Sequence, residues 1–301
     1  MRKIPTPTDT DLLNLLTESG YSRTKAKQLI KHGAVAIGDK TAKRPDQLVS
    51  AEETVCVHSE QEMHDQAGTC PGLTIVYEDE ALIVIDKPAG LLTIATEKEK
   101  RKTAFYLLSS YLKEREKSPE ARIFIVHRLD QGTSGLLVFA KNEMVKQRLQ
   151  DQWEQADKQY AAVVEGIPPK KEGRITSMLA ESKAMRVYSV RGNGAEGKEA
   201  TTGYTVKRTN DDYALLDITL LTGRKNQIRV HMADLGHPIA GDKKYGAKTN
   251  PLGRLALHAY KLSFNHPVIA DKRMEFEIKI PGKFYLLFSG QPKEMKNRHS
   301  D

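Results

Sequence analysis

The chain has 301 residues, enough for two domains with a substantial core in the larger. Its 47 lysines and arginines outnumber 39 acidic residues, a formal net charge of +8 that favours a polyanionic partner. No apolar stretch approaches the roughly 20 residues needed to span a bilayer, and the opening MRKIPTPTDTD lacks a signal-peptide core, so a cytoplasmic protein without membrane attachment is expected. Cys56 and Cys70 lack CxxC spacing and read as ordinary reduced thiols.

Along the chain, Leu12, Leu13, Leu15 and Leu16 form a helical apolar face ended by Gly20. Ser22 caps a second helix that carries Arg23, Lys25, Lys27 and Lys31 and stops at Gly33. Val35 and Ile37 alternate as a strand, Gly38-Asp39 forms a turn, and Val55-Cys56-Val57 gives a later strand. Residues 59–72, poor in large apolar side chains, read as a linker between domains at 1–58 and 73–290. From Leu73 the pattern predicts strands at 75–77, 82–85, 123–126, 136–140, 160–164, 203–207, 213–221, 261–264 and 276–280, with a surface helix over 144–153. Strand-rich spacing without regular strand–helix alternation predicts an α+β domain built on a largely antiparallel sheet flanked by helices. The tail, 291–301, reads as disordered.

One aspartate stands out. In HRLDQGTSGLLVFAKN, residues 127–142, Asp130 sits in a Gly-rich connection, where an aspartate is ordinarily a turn or cap residue. The whole run, however, closely resembles the catalytic segment of the RluA-like pseudouridine synthases. That resemblance implies that Asp130 is the essential catalytic residue and that Arg128 helps displace the target nucleotide.

Further segments follow in the family's order. YEDEALIVIDKPAGLL, 77–92, resembles its first motif: a strand and a Pro88 to Gly90 turn beneath the site, with Lys87 within reach of RNA phosphate. KQYAAVVEG, 158–166, resembles the segment that lays a tyrosine, here Tyr160, against the target base; periodicity alone reads Tyr160 as a core residue. LLTGRKNQIRVHMADLGHPIAGDKKYG, 220–246, implies that Ile228 packs against the base and that Arg229 pairs with the catalytic carboxylate, where a bidentate fork would hold it ionised and aimed. Lys225 and Asn226 replace the threonine and histidine of the usual TGRTHQIRVH, which reads as a variation in scaffold hydrogen bonding. RLALHAYKLSFNHP, 254–267, supplies the last match. At the amino terminus, SRTKAKQLIKHGAVAIGDK looks like the RNA-binding domain named after small-subunit ribosomal protein S-four, over about residues 9–58.

His231, His237, His258 and His266 lack metal-pair spacing, and the glycines form neither GxGxxG nor a P-loop, so no metal or cofactor is expected. The expected partner is RNA, ribosomal in preference to transfer RNA, and a monomer is expected. Two other classes compete: a catalytically silent RNA-binding or ribosome-assembly factor, and a glycosidase acting through Asp130, which would ordinarily need two placed carboxylates.

Overall fold

The computed structural model describes residues 2–31, 34–38, 40–42, 44–57, 70–190 and 196–289, with the side chains of Lys31, Lys40 and Thr41 outside that description. Expectations at Gly33, Asp39, most of the linker and the tail fall outside the described residues. The chain divides into two compact units, one gathering Met1–Thr69 with Ile75–Val84, the other Cys70–Thr74 with Ile85–Asp301.

The first unit carries strands β1 (Arg2–Pro5), β2 (Thr10–Asp11), β3 (Val35–Ile37), β4 (Lys40–Thr41), β5 (Leu48–Val49) and β6 (Thr54–Val57) and helices α1 (Leu12–Glu18) and α2 (Arg23–Lys31). Asp11 caps α1, its carboxylate accepting the Asn14 N–H at 2.9 Å, and the Ser22 hydroxyl accepts the Lys25 N–H at the start of α2. The apolar faces of both helices, Leu12, Leu15, Leu16, Ala26 and Ile30, close on Val35, Ile37 and Val55. The sheet order is β1-β6-β3-β4, and β2 pairs with β5.

The remaining strands are β7 (Thr74–Glu78), β8 (Leu82–Lys87), β9 (Phe124–Ile125), β10 (Ser134–Ala140), β11 (Asp157–Glu165), β12 (Glu172–Glu181), β13 (Val187–Val190), β14 (Lys198–Thr209), β15 (Tyr213–Leu220), β16 (Leu257–Asn265) and β17 (Arg273–Glu277). Helices α3 (Ala104–Glu116), α4 (Glu143–Asp151), α5 (Gln227–Asp234) and α6 (Gly282–Leu286) accompany them. The large sheet runs β13-β12-β14-β15-β11-β16-β10-β8-β7, with β17 on β16 and β9 on β10. Its long ladders, such as β11–β15, β14–β15 and β12–β14, are antiparallel, while β10 and β16 run parallel. This is the α+β architecture that the strand spacing predicts. Helix α3, strands β12 and β13, and helix α5 were not among the expected elements.

Cys70–Gly72, expected in the linker, instead belong to the second unit: Cys70 is buried, bridges to Leu73 and lies 3.8 Å from the Leu107 carbonyl. Leu136 to Ala140 are buried without alternation, the signature of a strand covered on both faces. Where β10 meets β16, Gly135 has φ +116° and a Cβ there would lie 2.1 Å from the Ala259 carbonyl oxygen. Gly135→Ala is therefore expected to destabilise by more than the ~1–3 kcal/mol of backbone strain alone, since two strands must also part. Gly282→Ala, with nothing within 4 Å, should stay within about 0.5 kcal/mol; thermal denaturation of both variants checks the contrast.

Candidate active site

Asp130 lies in the loop between β9 and β10, and its turn is pinned from both sides. The Thr133 N–H donates to the Asp130 carbonyl at 3.1 Å. Thr93 clamps Leu129, its hydroxyl donating to the Leu129 carbonyl at 2.7 Å and accepting the Leu129 N–H at 3.2 Å. Gln131 exchanges two bonds with Gly90: the Gly90 N–H reaches the Gln131 carbonyl at 2.8 Å, and the Gln131 amide reaches the Gly90 carbonyl at 3.0 Å. Residues 90–93 thus brace the aspartate on either flank. Lys87 completes the brace and corrects the sequence reading, because it is 0% exposed and turned inward, far from any role on a solvent-facing phosphate. Its ammonium donates to the carbonyls of Pro88, Leu91 and Gln131 at 3.0, 2.8 and 3.4 Å. Burial, with the nearby Arg254 charge, lowers its pKa to about 8.

Arg229, on α5, reaches Asp130 with one bond, Nη1 to Oδ2, at 3.1 Å. Its fork goes elsewhere: Nε and Nη2 grip the two oxygens of Asp242 at 2.6 and 2.8 Å. The Asp242 side chain is 1% exposed, against 22% for Asp130. Burial alone would pull the guanidinium's pKa down, but Asp242 and Asp130 more than offset that and keep Arg229 firmly protonated. Two further groups hold it. Asn226 accepts from Nη1 at 3.0 Å and donates to the Tyr245 hydroxyl at 3.0 Å, and the Tyr245 ring centroid lies 4.9 Å from the guanidinium carbon. Asn226 caps α5 at φ +54°, a left-handed conformation that asparagine tolerates better than most residues.

The walls come from three more elements. Tyr160, on β11, is 8% exposed, and it stands beside a bulge where Tyr260 is the extra residue of β16. Burial and the Asp130 charge push its phenol pKa up, so the hydroxyl stays neutral. Ile228 is buried on α5, one residue before Arg229. His127 stacks on Trp153 with centroids 4.5 Å apart, and its Nε2 accepts the Val138 N–H at 3.1 Å. Burial and the Lys158 charge lower its pKa to about 3, which leaves a neutral ring fixed as scaffold. Lys158 is itself held by the Trp153 carbonyl at 2.9 Å.

Asp130, Tyr160, Ile228, Arg229 and the exposed Arg128 line one cavity of about 310 Å³. That is the lower end of the range for small-ligand sites and suits a single base. Arg23, Lys25 and Lys27 are exposed on α2 of the first unit, and the Lys31 side chain lies outside the description. The four histidines have protein partners: His231 with Ser177 and Thr202, His237 with the Glu165 carbonyl, His258 with Ser134, and His266 with the N–H groups of Val268 and Ile269. Asp242 and Tyr245 escaped the sequence reading although their segment, GDKKYG, lies within the matched stretch; nothing in its composition marks a partner for Arg229.

The RNA pseudouridylate synthase family model matches residues 81–234, and the S4 domain model matches residues 12–55. The chain belongs to the RNA pseudouridylate synthase family. Its reaction is accordingly an isomerisation and its substrate RNA. Among similar proteins, the ribosomal large subunit pseudouridine synthase D of Neisseria meningitidis is 36% identical over 297 residues, covering 93% of this chain and 77% of that protein. An uncharacterized RNA pseudouridine synthase of Bacillus subtilis is 33% identical over 269 residues, 88% of each. The structure of human RNA pseudouridylate synthase domain containing 4 superposes with a TM-score of 0.58 at 25% identity, covering 70% of this chain and 90% of that one. As an RNA pseudouridylate synthase, the chain must free a base from its stack and hold it beside a reacting group, work for which a lined cavity of this size is suited.

The buried lysine behind the aspartate turn makes a pH prediction. A lysine with its folded pKa near 8 and an unfolded value near 10.5 releases its proton first in the folded state. Between those values the unfolded chain binds more protons, so folding stability attributable to Lys87 rises with pH across this window and is flat below it. Relative to Lys87→Met, wild type should gain up to about 3 kcal/mol between pH 8 and 10.5, measured by urea unfolding. Parallel pH profiles would remove this assignment.

Proposed function

We propose that this synthase isomerises specific uridines of large-subunit ribosomal RNA in the cytoplasm, and that Asp130 is the group on which turnover depends. The observation that carries the reading is the Asp130 carboxylate in the base-sized cavity, bonded to Arg229 and flanked by Tyr160 and Ile228. Arg229 and Tyr160 act with Asp130 in catalysis, Arg229 by holding the carboxylate in a fixed orientation and Tyr160 by supporting the base. Pseudouridylation breaks the bond from ribose to a uracil ring nitrogen, rotates the base, forms a bond to the fifth ring carbon and releases that carbon's proton. A single oriented carboxylate can serve this sequence, whether it attacks the sugar, attacks the ring or removes a ribose proton. Arg128, exposed beside the cavity, would occupy the space the displaced base leaves. Residues 1–58 supply a second RNA contact through Arg23, Lys25, Lys27 and Lys31, residues 73–290 carry the chemistry, and the protein works as a monomer. The ribosomal assignment draws on the names of relatives such as the Neisseria meningitidis protein. Carbodiimide-stop mapping of RNA from cells with and without the gene tests it: pseudouridines lost from large-subunit ribosomal RNA support it, and losses confined to transfer RNA overturn it.

Asp130→Asn keeps volume and removes the charge. Turnover should fall on the order of 10³-fold or more while RNA affinity stays within a few-fold, with tritium release from uridine labelled at the fifth ring carbon as the assay. Activity near wild type would eliminate Asp130. Asp242→Asn leaves Asp130 intact but loosens the grip on Arg229, so single-turnover rates should drop roughly tenfold or more with RNA Kd unchanged. Loss of affinity in proportion to rate would make Arg229 an RNA contact and not a support for the carboxylate.

A further inference from the structure

A second cavity, about 770 Å³, opens between α3, residues 121–125 and Lys146 of α4. Phe105, Tyr106, Lys113 and Arg122 line it, and no acidic residue is among its lining. Tyr106 is 40% exposed although its backbone N–H is held by the Thr103 cap, so a large aromatic face stands in water on a rigid helix. Lys113 follows seven residues later, on the same face of α3. Lys146 is paired with Glu143 at 2.7 Å, whereas neither Lys113 nor Arg122 has an ion-pair partner among the described residues. Just ahead of α3, Lys100, Arg101 and Lys102 are exposed as well. Aromatic rings interleaved with unpaired cations suit a single-stranded polyanion, whose bases stack while its phosphates are neutralised. The groove also adjoins the catalytic cavity along the chain: Ile125 lines the first and Val126 the second. From Ile125 to Arg128 the backbone spans at most ~10 Å, a distance of a few nucleotides.

We propose that this groove binds the RNA strand flanking the target uridine, stacking a base on Tyr106 and holding phosphates with Lys113 and Arg122. The proposal rests on the RNA-modifying reading of the catalytic cavity and extends the substrate it recognises.

The test compares full-length wild type, Lys113→Glu/Arg122→Glu and Tyr106→Ala on two transcripts: a large-subunit ribosomal RNA fragment with the mapped target and its natural flanks, and the same target trimmed to its stem-loop. On the long RNA the charge variant should raise Kd at least tenfold and lower the salt slope by about 1.4, as expected for two single-strand phosphate contacts. Tyr106→Ala should raise Kd about tenfold with the slope unchanged. On the trimmed RNA both variants should match wild type, and saturating single-turnover rates should match on both substrates. Equal weakening on both RNAs overturns the proposal, because the effect would then be general electrostatics. Unchanged affinity for the long RNA also overturns it and leaves the groove to a protein partner. If wild type forms pseudouridine while the variants bind normally, the groove assignment fails alone; if wild type isomerises uridine in neither transcript nor in total RNA, the functional reading fails and the proposal falls with it.

Discussion

A carboxylate on the wall of a base-sized cavity points where its charged partner holds it, so a counter-charge of fixed geometry is what keeps Asp130 aimed. Arg229 provides that charge, and its geometry is fixed by something other than the carboxylate it serves. Two of its bonds go to the buried Asp242, one to Asn226, and its face rests on Tyr245, leaving one bond for Asp130. The division matters because a guanidinium bound only to Asp130 would move with every change in that carboxylate's rotamer. Held by Asp242, Asn226 and the Tyr245 ring, Arg229 has a position that does not depend on the bond to Asp130. The left-handed Asn226 at the start of α5 serves the same end, fixing the helix start three residues before the arginine.

The backbone that carries the aspartate is pinned separately from its carboxylate. Leu129 and Gln131 on either side of it are tied to Thr93 and Gly90, and Lys87 gathers three carbonyls of the same region around one ammonium. A buried lysine is costly, and the cost is tolerable where several dipoles point their negative ends at it. The parallel contact of β10 with β16 anchors the far end of the loop, at a glycine where no side chain would fit. Carboxylate and guanidinium thus arrive from separate elements, each held by its own hydrogen bonds, the aspartate on the loop before β10 and the arginine on α5.

Much of this was legible in the sequence, for identifiable reasons. The strands that run as continuous apolar blocks, such as Leu136 to Ala140, announce themselves because they are buried on both faces. Strand β12 does not, because among its ten residues Leu179 alone is buried, so no apolar alternation reaches the sequence. Helix α3 carries Ala104, Leu108 and Leu112 at four-residue spacing behind the Thr103 cap, but Phe105 and Tyr106 lie off that stripe and blur its apolar periodicity. At the site, the resemblance drew attention to Asp130, Tyr160, Ile228 and Arg229, and these line one cavity. The inward turn of Lys87 and the partnership of Arg229 with Asp242 were beyond reach, because hydrogen-bond direction in a long, flexible cation is set by three-dimensional packing.

The chemistry returns the same atoms in a new arrangement, so the energetic difficulty lies in exposing one uridine and protecting the separated base and sugar from water. A cavity of about 310 Å³ can grip one base but offers few groups with which to tell its neighbours apart. Choice among uridines must therefore come from contacts beyond the cavity, and binding energy gained there can offset the cost of unstacking at the centre. A chain of net charge +8 supplies attraction to any RNA, which is strong but indiscriminate. Discrimination requires that some of those cations sit beside aromatic faces in a defined geometry, so that only a strand of the right shape collects both contributions at once.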